Sequence, residues 1–289
     1  MQETPGSNET RPQAPSAQSL TPGSRPLAPG PRPPDPGRRV WMKRTAFFTV
    51  LLGVWEILFR LNMWPDYLFP APSEVFATLF QGFANRTFLI GIGGSLRRLV
   101  QGYFLALAIG LAIGLLIAQL RWLKETIGLL VLGLQTLPSI CWLPLAILWF
   151  GLNEQAILFV VVMGAVLSIA QATEDGILNT SRLYLRAARN LGARRWRLYI
   201  SVILPAALPS IVTGMKLGWS FAWRSLMAGE LLYTLPGLGN LLNLGRELND
   251  MSQVVAVMVV IILIGTVTDR LIFSTMEHRI RERWGLLVN

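Results

Sequence analysis

Long uninterrupted apolar runs limit what this chain can fold into more than any other feature. Runs near 41–61, 98–120, 126–150, 155–173, 202–231 and 254–276 each approach the ~20 residues that an α-helix needs to cross a bilayer core. Lipid offers no partner for backbone N–H and C=O groups, so each run must satisfy them internally, as helix. The expected fold is all-α, a polytopic membrane protein with six transmembrane helices. Only 15% of the residues are charged and 52% are apolar, with a mean hydropathy of +0.47. A soluble domain carries about a quarter charged residues.

Ahead of the first run, residues 1–37 hold ten of the eighteen prolines, with Ser, Gly, Gln and Thr between them. Such a segment buries too little apolar surface to offset its ordering entropy. It is expected to be a disordered, Pro-rich cytoplasmic tail without a cleavable signal, with residues 38–289 as the transmembrane domain. After the first run, PAPSEVFATLFQGFA carries Val75, Phe76, Leu79, Phe80 and Phe83 at helical spacing. That pattern predicts an amphipathic helix at the membrane surface.

The net charge of +10 is spread in a way that reads as topology. Placing the N-terminus inside puts 19 Lys and Arg residues on the cytoplasmic side and 5 outside, namely Arg60, Arg86, Arg97, Arg98 and Arg246. The positive-inside bias then sets both termini in the cytoplasm. Clustering between apolar runs argues against nucleic acid as the partner. A single cysteine, Cys141, excludes an intrachain disulfide, and one histidine, His278, leaves no metal-ligand spacing. Lys43, Lys124 and Lys216 are the only lysines, and none precedes Ser or Thr. A phosphate-cradling P-loop is therefore absent.

The cytoplasmic loop at about 174–201 contains RAARNLGARRWRLYISVILP, from Arg186 to Pro205. Leu183, Tyr184, Ala187, Ala188 and Leu191 share one helical face, and Arg182, Arg186 and Arg189 lie off it. Gly192 can take a left-handed conformation and end that helix. A second short helix near Ala193 would then lead to Pro205, completing an elbow. Its arginines alone would suffice to set topology, and its apolar side alone could rest on lipid headgroups. Neither accounts for the ordered spacing of the small residues, Gly and Pro.

Ionisable groups inside a span are costly and face protein or water. Lys216 and Arg224, eight residues apart in the fifth run, are expected roughly on one face. There they would either line a route for an anion or, in the case of Arg224, pair with Glu230. Glu56 in the first run is expected to pair with a neighbouring helix or subunit. Trp219 and Trp223, at i and i+4, form an aromatic ridge that packs or narrows a channel. Pro138 and Pro144 flank Trp142 and interrupt the third run, as a kink or gate. Gly110 and Gly114, with Ala106, form a small-residue row for helix packing.

The spacing Ala187-Ala188, Gly192, then Val202, Leu204 and Pro205 resembles the cytoplasmic signature loop of bacterial ABC importer permeases. That family usually reads E-A-A-x-x-x-G and, nine residues on, I-x-L-P; here Arg186 stands for the Glu and Val202 for the Ile. WPDYLFPAPSEVF, SLRRLVQGY, LPSICWLPLAILWFGL and LPGLGNLL are similar to the permeases for nitrate, aliphatic sulfonates, taurine and bicarbonate. The resemblance covers about residues 41–280. It implies a non-catalytic, multi-pass subunit of the bacterial inner membrane with a type I importer fold, working as a homodimer. External binding protein would deliver a small oxyanion from above. Partner ATP-binding subunits, holding ATP and Mg, would dock on Arg186, Ala187, Ala188, Leu191, Gly192 and Pro205. The translocation-pathway candidates are Pro138, Trp142, Pro144, Lys216, Trp219, Trp223, Arg224 and Glu230. The rival class, an ion-gradient-driven secondary transporter, predicts paired broken helices in two halves, and only the third run is broken in sequence. A membrane anchor or scaffold fits the tail but leaves the signature loop unexplained.

Overall fold

The computed structural model describes residues 36–61, 70–194 and 196–283. The expected tail therefore lies almost wholly outside the described residues, as does WPDYLF, the first part of one family-like segment. Every regular element among the described residues is helical. Residues up to Leu51 and residues from Leu52 onward are two compact units, and α1 (Pro36–Arg60) runs across the division.

The remaining elements are α2 (Pro72–Ala84), α3 (Thr87–Gln119), α4 (Arg121–Gln135) and α5 (Ser139–Phe150). They continue with α6 (Glu154–Leu178), α7 (Arg182–Asn190), α8 (Trp196–Glu230), α9 (Leu238–Glu247) and α10 (Met251–Glu277). Among the described residues, α3, α6, α8 and α10 are long and apolar enough to cross a membrane. The third expected span is broken: α4 and α5 meet at 105°. Helix α1 forms where the first span was expected, but Lys43, Arg44, Glu56 and Arg60 interrupt its apolar stretch. Among the described residues, Glu56 pairs with Arg60 of its own helix at 3.1 Å, not with a neighbouring helix.

The second expected span begins eleven residues early, at Thr87, so Arg97 and Arg98 lie inside α3 rather than in an outer loop. Carboxylates from other helices meet them there: Glu154 contacts both, and Glu230 holds Arg98. Hydropathy sees those two arginines only as a boundary, because it cannot see their partners.

Helix α6 is the centre of the bundle. Its most apolar window is 56% buried, against 33% for α3 and α8 and 17% for α10. Ile169 of α6 is wedged between glycines of both neighbours. A Cβ on Gly110 of α3 would come within 2.9 Å of Ile169 Cβ and of the Val166 carbonyl, and one on Gly218 of α8 within 2.7 Å of Ile169 Cγ1. Gly114 is closed off in the same way by the Ala170 carbonyl and Thr173, and Ala106 of the same row is fully buried. Small residues let backbones approach where lipid supplies no hydrophobic drive between helices. Helix α2 packs its Val75 and Leu79 inward and leaves Phe76 and Phe80 exposed. The expected apolar stripe is therefore split between the core and the surroundings.

Gly110→Ala should destabilise the folded chain by about 1–3 kcal/mol through overpacking. Gly93→Ala, in the same helix but with nothing within 4 Å of the added carbon, should be neutral or gain ~0.5–1 kcal/mol in helix propensity. Thermal unfolding of both variants in detergent checks the contrast. Equal behaviour would show that the glycine row does not set the α3–α6 distance.

Candidate functional site

Among the described residues, the most buried ionic group is Glu230, the last residue of α8, at 1% exposure. Its Oε1 accepts from Arg98 Nη1 at 2.6 Å. Its Oε2 accepts from the Ser95 hydroxyl at 2.6 Å and from the Gly239 N–H at 3.0 Å. Ser95 Oγ in turn accepts from the Leu238 N–H at 2.8 Å, and Arg98 Nη2 donates to the Pro236 carbonyl at 3.0 Å. The segment LPGLG is thus folded over the ion pair, and close approach requires its glycines. A Cβ on Gly237 would sit 2.6 Å from Glu230 Cδ, and one on Gly239 would sit 2.5 Å from Glu230 Cβ.

This junction corrects two expectations. Arg224 does not pair with Glu230, because Arg98 of α3 already holds that carboxylate. Glu230 is a sealed structural anion, so it leaves the pathway candidates. Sequence reasoning missed Ser95 and Arg98. The available signal was that an acid and a base, each embedded in an apolar run, required partners. Nearby, the Tyr233 hydroxyl is buried without a partner among the described residues, and burial pushes its phenol above the ordinary pKa.

Lys216 is also committed elsewhere. Its ammonium lies 3.5 Å from Asp269 and 3.9 Å from Glu277, both in α10. Eight residues turn a helix about 80° past two full turns, enough to send Lys216 towards α10 while Arg224 points away. Trp219 packs edge-on to Tyr103 at 4.9 Å and against Phe273 at 5.7 Å. Trp223 is buried beside Gly265. The tryptophan ridge is therefore packing between helices and does not border Arg224's cavity.

Arg224 opens on a cavity of about 270 Å³ whose walls include Gln135, Pro138, Ser139, Trp142 and Ser168. Its guanidinium lies 4.8 Å from the Phe221 ring centroid, and its Nε donates to the Ser220 carbonyl at 3.2 Å. No carboxylate forms a salt bridge with it among the described residues. Gln135 Oε1, also on this wall, is buried without a hydrogen-bond partner among the described residues. Pro138 takes extended backbone (φ −55°, ψ 134°) at the α4–α5 break. Pro144 breaks nothing: it falls in the first turn of the α-helical part of α5, where its missing N–H has no helical partner to lose. Of the pathway candidates, the fold brings Pro138, Trp142 and Arg224 together and sends Pro144, Lys216, Trp219, Trp223 and Glu230 elsewhere.

The first arm of the elbow and its turn form as the spacing predicts, while the expected second short helix is not separate: the chain from Trp196 runs straight on as α8. Ser181 caps α7 by accepting from the Leu183 N–H at 3.3 Å. At the other end Gly192 takes φ +84°. The Gly192 N–H reaches the Arg189 carbonyl at 3.0 Å, and the Ala193 N–H reaches the Ala188 carbonyl at 2.9 Å. These two bonds are the Schellman closure, which favours glycine at the left-handed position. Ala188 turns inward with Leu185, while Leu183, Tyr184, Leu191 and Trp196 are exposed, Leu191 at 89%. Pro205 lies within α8, where the π-helical stretch Tyr199–Ile203 gives way to regular α-helix from Leu204, near the start of the expected fifth span.

A model of the family of binding-protein-dependent transport system inner membrane components matches residues 107–280. A putative ABC transporter permease of Methanocaldococcus jannaschii is 32% identical over 75% of this chain and 83% of its own length. The taurine transport system permease protein of Escherichia coli is 29% identical over 74% of this chain and 80% of its own. The fold is similar to that of the methionine ABC transporter MetNI in an inward-facing form. The TM-score is 0.53 at 21% identity, covering 64% of this chain and 94% of that one.

Arg98→Met should destabilise the fold by about 3–5 kcal/mol, because it strands a buried carboxylate. Arg98→Met combined with Glu230→Leu should recover most of that loss. Thermal unfolding of the single and double variants decides it. A double variant no more stable than the single one would mean that the pair's geometry, and not the charge left behind, is what matters.

Proposed function

This chain belongs to the family of binding-protein-dependent transport inner-membrane components, and from that premise we propose that its cargo is a small oxyanion. It is the non-catalytic, membrane-spanning permease of an ABC importer, with an ATP-binding subunit and a substrate-binding protein as partners. The cargo belongs to the sulfonate, taurine, nitrate or bicarbonate class. Arg224 carries this reading: it is a cation on a cavity wall with no salt-bridge partner among the described residues. A cation in a cleft with low-dielectric walls concentrates anions. The taurine permease relative supports the same class, since taurine bears a sulfonate.

Two copies of this chain face each other across the route, and both termini lie in the cytoplasm, as the distribution of Lys and Arg favours. ATP and Mg²⁺ are held by the partner subunit. Its closure reaches the membrane through α7 and the Gly192 turn. The exposed Leu183, Tyr184, Leu191 and Trp196 form an apolar surface on a cytoplasmic loop, where burial against another protein is favourable. A turn locked by two backbone hydrogen bonds can transmit a push without bending.

Arg224→Gln keeps hydrogen-bonding capacity and removes the charge. It should lower initial oxyanion uptake roughly tenfold while stability and recovery of the ATP-binding subunit stay unchanged. Uptake equal to that of the parent would remove Arg224 from the route. Separately, Gly192→Val forces a β-branched residue to positive φ, a strain of ~1–3 kcal/mol, and Leu191→Asp places a charge on the apolar surface. Both should reduce co-purification of the ATP-binding subunit and leave membrane insertion intact. Undiminished recovery with both variants would disprove docking at the elbow.

A further inference from the structure

A second cavity, of about 780 Å³, lies against α6 further along the helix. Its walls include Arg121, Lys124, Gly128, Gln171, Glu174 and Asp175. The first cavity takes Gly164, Leu167 and Ser168 from the same helix. Residues 164, 167, 168, 171, 174 and 175 follow the three- and four-residue steps of one helical face. From Ser168 to Glu174 is six residues, about 9 Å of helix. One strip of α6 therefore borders both spaces. Its exposed or half-buried part is polar in a helix that is otherwise largely apolar.

The cations differ between the two spaces. Arg224 in the first is free of salt bridges among the described residues. In the second, Lys124 lies 3.8 Å from Glu174, a loose pair, and Arg121 is held by Glu125 at 3.0 Å. Glu174 is itself half-buried, so its carboxylate is not simply a solvated surface charge. Ser168, on the wall of the first cavity, is buried, and Gln171 on the second is half-buried; an anion leaving Arg224 along this strip meets the Gln171 amide, then a lysine that already has a carboxylate beside it.

We propose that the α6 strip Ser168–Gln171–Glu174 is the inward route of the anion, with Lys124 as its second station and Glu174 as the residue that clears that station. This rests on the reading of the cargo as an oxyanion. The anion displaces Glu174 from Lys124, and the tethered carboxylate then competes for the same ammonium and returns to it. Lys124 thus holds the cargo only briefly. A route needs sites favourable enough to enter and weak enough to leave, and a built-in competitor supplies the second condition.

The test uses the assembled importer in membrane vesicles with Cys141→Ser, which removes the lone native thiol. Gln171→Cys reports on the strip, and Asp175→Cys on the same cavity is the second reporter should the first fail to assemble. Ser139→Cys marks the Arg224 cavity. Membrane-impermeant anionic and cationic methanethiosulfonates are applied from outside, and labelling of this chain is read by intact mass. The expected result is labelling at residue 171 or 175, with an anionic-to-cationic rate ratio that falls roughly tenfold when Arg224→Gln is added. Glu174→Gln should raise that ratio and slow release, lowering maximal uptake together with half-saturation. Labelling at Ser139→Cys with neither strip reporter labelled would overturn the route, even if oxyanions are still imported. A ratio indifferent to both charge changes would overturn it as well. Charge-dependent labelling without import of any oxyanion would remove the substrate reading and leave the route in place.

Discussion

The buried contact between Arg98 and Glu230 decides more of this structure than any other interaction. Taking a carboxylate and a guanidinium out of water costs several kcal/mol per ion, and their attraction offsets that only when the remaining lone pairs and protons are also met. Here Ser95 and the Gly239 N–H complete the Glu230 carboxylate, and the Pro236 carbonyl takes a second Arg98 nitrogen; the third, Nε, is buried without a hydrogen bond among the described residues and lies 3.5 Å from Glu154. One hydrogen-bonded cluster thereby ties the first third of α3, the end of α8 and the start of α9. The glycines of LPGLG follow from it, because a side chain at Gly237 or Gly239 would occupy the carboxylate's space.

With that end tied, the rest of the helical core is a matter of approach distance. Ile169 sits between Gly110 and Gly218, so α3 and α8 close on α6 from two directions. The contacts of this three-helix core are glycines against backbone carbonyls and the β-branched side chains of Ile169 and Thr173, whose χ1 freedom in a helix is small. The elements with functional surfaces are those the core does not seal. The α4–α5 break frames the Arg224 cavity, and α7 with the Gly192 turn presents an apolar face outward.

Local features were legible in the residues themselves. The Gly192 turn was readable because a helix ending at a glycine needs only backbone chemistry to close. The break at Pro138 and the packing role of Gly110 and Gly114 were readable for the same reason. Pro144 was misread because a proline's effect depends on whether it stands in a helix interior or a first turn, and apolarity alone does not locate that turn. Lys216 and Arg224 were grouped by spacing, yet an 80° offset was enough to give one to α10 and the other to a cavity. Nearness in the chain made Arg224 one of the alternatives for Glu230, when its partner lay 132 residues away.

By itself the sequence determined the class of fold, the spans of α3, α6, α8 and α10 to within a few turns, and the first arm and turn of the elbow. These follow from hydropathy over ~20 residues and from the backbone preferences of Gly and Pro, both of which act locally. Only the tertiary structure decided which charges are spent on holding helices together and which remain available to a ligand. That choice depends on which helix faces which, and a charge's partner in three dimensions leaves no trace in its neighbours along the chain. Arg98, Lys216 and Arg224 are each a cation in an apolar helix, and only packing makes the first a buried tie, the second a link to α10 and the third a cation open to a cavity.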